Sequence, residues 1–415
     1  MKLVHITTVP QSLRFVSGQP AFMRAHGIDT HAVSSPGEVL AEFGRSEGCP
    51  VYGVEMPRRI TPLQDVGALR RLWRYLRRLQ PQIVHAHTPK GGLLGMLAAR
   101  LARVPIRVYH MHGLPFLTAT GLKRRLLMIT ERWSCRLATD ILCVSPSVRA
   151  AAISLRLCPP SKIKVLLRGS CNGVDAAQQF NPERAGSDVR ASTRRRLGIP
   201  VDALVIGFIG RLAKAKGLVE LEAAWRLLRE AYPTLHLMLV GPEEPNDPPP
   251  AAVLARLRSD RRVCVVGEDW NTPPLYRAMD ILVLPTHREG FPVVLLEAAS
   301  MALPIVATRV TGCQDAVQDG LTGTLVAPYA AEVLAGGVHR YLRDPLLRQR
   351  HGEAARAWVL QDFNPKAMCR AIYEEYVQAL ESRGLDTPPG CDSHDRRWRW
   401  QDAEQLRTSK SGLEG

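Results

Sequence analysis

Two carboxylates, Glu289 and Glu297, flank the turn Gly290-Phe291-Pro292. Before it, residues 280–284 are a short apolar run ending at Pro285, the pattern of a buried strand. After it, from Pro292 and Val293, an apolar helical pattern begins, and proline suits a first helical position. Gly290 lets backbone amides approach a ligand closely, and amides at a helix start donate to hydroxyl or phosphate oxygens. Glu289 on the turn and Glu297 about two helical turns further on suit two polyol groups of one ligand, a sugar ring and a ribose for instance. They equally suit a helix-start acid favoured by the macrodipole and a solvated surface residue.

A second constellation lies upstream. Residues 203–209 read as a strand, 218–231 as a helix, and the loop between them is bounded by Gly210 and Gly217 and carries Arg211 and Lys216. This is a phosphate-binding arrangement without the glycine spacing of a dinucleotide site or a P-loop. Fixed cations there would favour a leaving diphosphate, which gains charge in the transition state. A solvated basic loop is the plainer alternative.

Strands at 83–86 and 106–109 lead into His87 and into His110-Met111-His112-Gly113. Alternate strand residues share a face, which raises a metal site. No Asp, Glu or Cys completes one locally, so polar residues facing a cleft are expected and no metal. The loop from His87 to Gly92 opens a helix where Lys90 and glycine amides would meet an acceptor phosphate, or would simply lie exposed.

These loops must be positioned by strands alternating with helices, which argues for two α/β domains with mostly parallel sheets. At 415 residues and 46% hydrophobic composition, the chain suits two globular units. The expected division is 1–175, a polar linker at 176–200, a second domain at 201–365, a closing helix at 366–383 and a disordered tail at 384–415. Nine cysteines without a Cys-x-x-Cys pair, and no leader pattern at 1–18, read as reduced thiols of a cytosolic protein.

The net charge of +16 is one-sided: residues 1–170 carry 25 Lys and Arg against 8 Asp and Glu. The first domain should therefore be drawn to a polyanion. At 62–80, Val66, Leu69, Leu72, Leu76 and Leu79 keep helical period, while Arg70, Arg71, Arg74, Arg77 and Arg78 fill the other faces. With no acid beyond Asp65 to pair them, these arginines suit the anionic cytoplasmic face of a membrane, helped by 123–125, although a solvated helix surface is commoner. No apolar run is long enough to span a bilayer.

The Glu289 to Glu297 spacing around Gly-Phe-Pro resembles the donor site of retaining glycosyltransferases of the GT-B, family-4 (group 1) type. Further motifs in matching order extend the resemblance over residues 1–382. It implies two facing Rossmann-like domains, the acceptor in the first and a nucleotide sugar, expected to be a UDP-sugar, in the second. It implies no cofactor and no metal. Glu289 would contact the transferred sugar and Glu297 the ribose, with Gly290, Phe291, Pro292 and Val293 lining the donor site. Arg211 and Lys216 would face the diphosphate, Gly18 would lie near it, and His112 would border the sugar. The opening residues 5–19 and the His87 to Gly92 loop are similar to bacterial enzymes that extend sugars on polyprenyl diphosphate for capsule, exopolysaccharide or glycan synthesis. A sugar-nucleotide epimerase of the same shape is the first rival, needing acid and base residues at the sugar. A nucleic-acid-binding protein is the second, and the basic helix lacks the interleaved aromatics it would use, so no nucleic-acid partner is expected.

Overall fold

The computed structural model describes residues 1–389 apart from Arg58, Ile60, Ala185 and Ser187. The first domain is built on β1 (Lys2–Ile6), β2 (Asp29–Ser34), β3 (Val51–Gly53), β4 (Ile83–His87), β5 (Ile106–Met111), β6 (Asp140–Cys143) and β7 (Ile163–Val165). They stand in the order β3-β2-β1-β4-β5-β6-β7, every pair parallel. The second domain repeats the plan with β8 (Val205–Ile209), β9 (His236–Val240), β10 (Val263–Gly267), β11 (Ile281–Leu284), β12 (Ile305–Thr308) and β13 (Gly323–Val326), in the parallel order β10-β9-β8-β11-β12-β13. Both sheets are covered by helices, which explains why β4, β8 and β11 are buried from end to end, β8 and β11 without a polar side chain and β4 with His85 and His87 among its apolar residues.

Strand order reverses between β1 and β4 and again between β8 and β11. At such a switch point the flanking connections leave toward opposite faces and open a crevice beyond the strand ends. The loops after β1, β4, β8 and β11 are those bearing Gly18, His87 to Lys90, Arg211 to Lys216 and Pro285 to Glu289. The two-domain α/β architecture expected from the alternation of elements is therefore the observed one.

The helix Pro365–Glu381 returns to the first domain. Met368, Ile372, Tyr376 and Leu380 pack beneath Leu3, Ile83, Ile106, Val108 and Leu142. Three other expectations need correction. The supposed linker is packed: Val174, Ala176 and Phe180 join the second-domain core, and the helix Val189–Arg196 places Arg194 fully inside it. Composition misleads there because the Arg194 guanidinium finds the carbonyls of Ala278, Val201 and Ala203 and the carboxylate of Asp280, so its charge is met without water. The supposed tail begins later than 384, since Leu385 packs on the first domain and Pro388 and Pro389 lie against Gly27, while 390–415 fall outside the described residues. In the helix Pro62–Leu79, the buried stripe is Ala68, Leu72 and Leu76, and Val66 is 65% exposed. It stands about 200° round the helix from Ala68, on the outer face.

Candidate active site

The turn after β11 is fastened to the basic loop after β8. His287 N–H and the Thr286 hydroxyl both donate to the carbonyl of Ala215, at 2.9 and 3.2 Å. The Ala215 amide in turn donates to Asp247 at 2.9 Å. Gly217, at φ 76, lets the loop pass so close to β11 that a Cβ there would lie 1.9 Å from the Pro285 carbonyl oxygen. The result is an ion pair between Lys216 and Glu289, each side chain largely shielded from solvent. Arg211 pairs likewise with Glu244, which burial acts to raise but which hydrogen bonds from Asn246 and Arg211 leave below the usual carboxylate range.

Glu297 lies on the helix Val293–Ser300, which Pro292 caps rather than begins. Its carboxylate accepts from the Tyr276 hydroxyl at 2.7 Å. Burial pushes its pKa up, against that hydrogen bond and the charge of Arg14. Arg14 belongs to the first domain and lies 3.5 Å over the ring of Trp270 from the second, a cation–π contact across the cleft. Arg14 was not singled out in the sequence, because nothing local to its loop points to a partner so remote.

The domains meet at a glycine seam. A Cβ on Gly290 would stand 1.9 Å from the His112 carbonyl oxygen, and one on Gly113 3.2 Å from the Cα of Gly290. His112 thus borders the Glu289 turn, with Phe15 stacked on its ring at 4.6 Å. Arg288 donates to Thr118 at 2.7 Å, and Asp315 and the Gly312 amide both bond Ser147, holding the two walls together. Behind His112, which follows β5, four buried histidines converge from three adjacent strands: His5 from β1, His85 and His87 from β4 and His110 from β5. Burial depresses all five, His5 and His110 to about 3 and the others well below the ordinary value, so all are neutral at pH 7.

Several expected contacts are otherwise engaged. The Gly18 amide donates to both Glu47 carboxylate oxygens, at 3.0 and 2.9 Å, and is not left for a diphosphate. Lys90 is held by Asp65 at 2.7 Å and by the Arg59 carbonyl, which makes it a tie for the 59–65 segment. The Gly91 and Gly92 amides donate to the Thr8 hydroxyl and the Thr88 carbonyl. Phe291 packs its ring against Gly169 and Phe363. Arg70, Arg71, Arg74, Arg77 and Arg78 are all exposed.

The family model described as glycosyl transferases group 1 matches residues 189–358, and a glycosyl transferase 4-like domain matches residues 16–169. The capsular polysaccharide biosynthesis glycosyltransferase CapM of Staphylococcus aureus is 30% identical over 92% of this chain and 99% of its own. An Escherichia coli UDP-Gal:alpha-D-GlcNAc-diphosphoundecaprenol alpha-1,3-galactosyltransferase is 28% identical over 79% of this chain and 83% of its own. Among solved structures, Anabaena HepE in complex with UDP and glucose has the same fold, with a TM-score of 0.75 at 20% identity over 91% of this chain and 99% of that one.

Proposed function

Because this chain belongs to the group 1 glycosyl transferases, we propose that it moves a sugar from a UDP-sugar to a polyprenyl-diphosphate-linked saccharide, with retention of configuration. The Lys216–Glu289 pair carries this reading, since it sets a cation and a hydroxyl acceptor side by side on the turn that touches His112 across the seam. A diphosphate competes with the carboxylates for Lys216 and Arg211, leaving Glu289 to accept from sugar hydroxyls. Glu297 then meets the ribose. As the bond from the anomeric carbon to the diphosphate breaks, the bond to the acceptor oxygen forms on the same face, and the acceptor proton passes to the departing diphosphate oxygen. Glu289 is taken up by the sugar hydroxyls and Glu297 is bound by Tyr276, so neither is offered as a nucleophile. Arg211 and Lys216 supply the cations at the diphosphate, and no metal is invoked.

The lipid-linked acceptor agrees with the capsular and undecaprenyl relatives and with one face of the first domain. The helices Pro62–Leu79, Pro89–Leu101 and Gly121–Leu137 lie side by side. Their only acids are Asp65, paired with Lys90, and Glu131, buried against Tyr109. The outer surface is arginine and lysine interspersed with exposed Leu63, Val66, Leu122, Ile129 and Trp133. A basic and apolar face of this kind suits the anionic cytoplasmic leaflet. No helix among the described residues is long and apolar enough to cross a membrane.

Incubation with a panel of UDP-sugars in EDTA, with and without a bilayer extract, tests the reaction. A lipid-soluble glycoside is expected. Epimerised nucleotide sugar, nucleic-acid affinity alone, or strict dependence on Mg²⁺ would overturn it. Replacing the five arginines of the first helix with Gln should abolish sedimentation with anionic liposomes while UDP affinity stays unchanged.

A further inference from the structure

Three of the buried imidazoles form an unbroken hydrogen-bonded chain. His112 Nε2 lies 2.9 Å from His87 Nδ1, and His87 Nε2 lies 3.0 Å from His5 Nδ1. The chain ends there, because His5 Nε2 is buried without a partner. A neutral imidazole carries one N–H, so at each contact one ring donates and the other accepts. His87 uses both nitrogens, which locks the three rings into two collective arrangements. In one, His112 donates to His87 and His87 to His5, and the buried end is left with an orphaned N–H. In the other, His5 donates to His87 and His87 to His112, and the buried end is only a lone pair. Orphaned buried N–H groups are the rarer and costlier defect, so the second arrangement wins.

We infer that His5 and His87 are positioning residues that hold His112 in the tautomer with its proton on Nδ1, making it a hydrogen-bond donor to the substrate and not a base. Among the described residues Nδ1 of His112 has no protein partner, and the ring is partly open beside the Glu289 turn. The role toward substrate rests on the proposed place of His112 at the transferred sugar. Because the inner end is closed, the chain orients a proton without conducting one.

The same rings invite a second explanation. His5, His85 and His87, and separately His87, His110 and His112, bring their nitrogens within 4.8 Å of one another, as metal ligands would. Both groups need His87, whose two nitrogens are already in hydrogen bonds, and coordination would require the facing nitrogens to be bare together. Only other histidines act as charge neighbours of His85, His87 and His112, so nothing balances a buried dication.

Nitrogen-15 spectra of the histidine-labelled full chain, with His112 assigned by its loss in His112→Gln, read the tautomer directly. The expected result is a protonated Nδ1 and a bare Nε2. In His87→Leu, which removes the ring facing His112 Nε2, the proton should redistribute toward Nε2 and transfer should slow roughly fivefold, in step with the lost competent fraction. UDP binding by calorimetry should hold, and His87→Asn, which restores an N–H toward His112, should recover both signal and rate. A proton on Nε2 in the wild type overturns the inference. So does a slowed His87→Leu whose His112 signals are unmoved, or one stoichiometric Zn²⁺ by elemental analysis with both facing nitrogens bare. Wild-type transfer by His112→Gln would overturn the donor role itself and, with it, the site reading, even where the spectrum shows Nδ1–H.

Discussion

On the second-domain wall Lys216 is paired with Glu289 and Arg211 with Glu244, whereas the first-domain wall is built from four buried imidazoles and the partly open His112, all held neutral. The first strategy keeps cations in place with partners that an incoming anion can replace. The second fixes polar direction without charge, so that a neutral hydroxyl brought against it would meet an oriented dipole while no ion is stranded away from water. A charged wall is thus suited to a group whose charge changes in the reaction, and a neutral wall to a group whose charge does not.

The sharpest way to break this contrast is at the charged pair. Lys216→Ala and Glu289→Ala should each lower kcat roughly a thousandfold, and the double variant should be no worse than the poorer single, because the two act as one unit. Multiplicative losses would show two independent groups. On the other face of the first sheet, Glu131 shows neutrality in a second form: burial lifts its carboxyl from 4.5 to about 7, with the Tyr109 hydroxyl donating to it at 2.6 Å. A raised folded-state value means that the stability is present below pH 4.5 and lost as pH rises through 7. Glu131→Gln stays neutral, so it should match the wild type in acid and exceed it by about 3 kcal/mol at pH 8 in denaturant melts. Parallel stability curves would deny that Glu131 is held neutral.

The seam between the walls comes next. Gly290→Ala drives a methyl into the His112 carbonyl, and a displacement of about 1 Å should slow transfer on the order of a hundredfold with the thermal melt little changed. A normal rate would mean that the walls need not touch. The smallest effect belongs to Arg14, whose cation–π contact with Trp270 is worth about 1 kcal/mol. Arg14→Gln should raise the donor KM about fivefold and leave kcat alone. A fall in kcat would place Arg14 among the transition-state contacts instead.

What could be read from the chain was what is local. The turn at Glu289 and the loop at Arg211 to Lys216 each lie between a buried strand and a helix start, and the pattern of residues within twenty positions specifies both. The site contacts that this window misses have partners outside it. Lys90 is claimed by Asp65, the Gly18 amide by Glu47, and Arg14 by Trp270 of the other domain. The histidines were visible as two His-x-His pairs. Their meeting with His5 was not, since it follows from the parallel pairing of β1 with β4, which no short spacing encodes. Arg194 escaped notice for the opposite reason: a charge in a polar stretch is expected to face water, and here backbone carbonyls surround it.

The return of the helix Pro365–Glu381 to the first domain has a consequence for biosynthesis. Tyr376 from that helix bonds His85 at 2.5 Å, and its neighbours cover Leu3, Ile83 and Ile106 on one face of the first sheet. A ribosome completes β7 at Val165 long before it reaches residue 381. At ordinary elongation rates that interval is on the order of ten to forty seconds. Throughout it the nascent first sheet presents an uncovered apolar face, while the second domain, whose own core is complete once Ala355, Val359 and Phe363 are made, precedes the returning helix. The part of the protein synthesised first is therefore finished last.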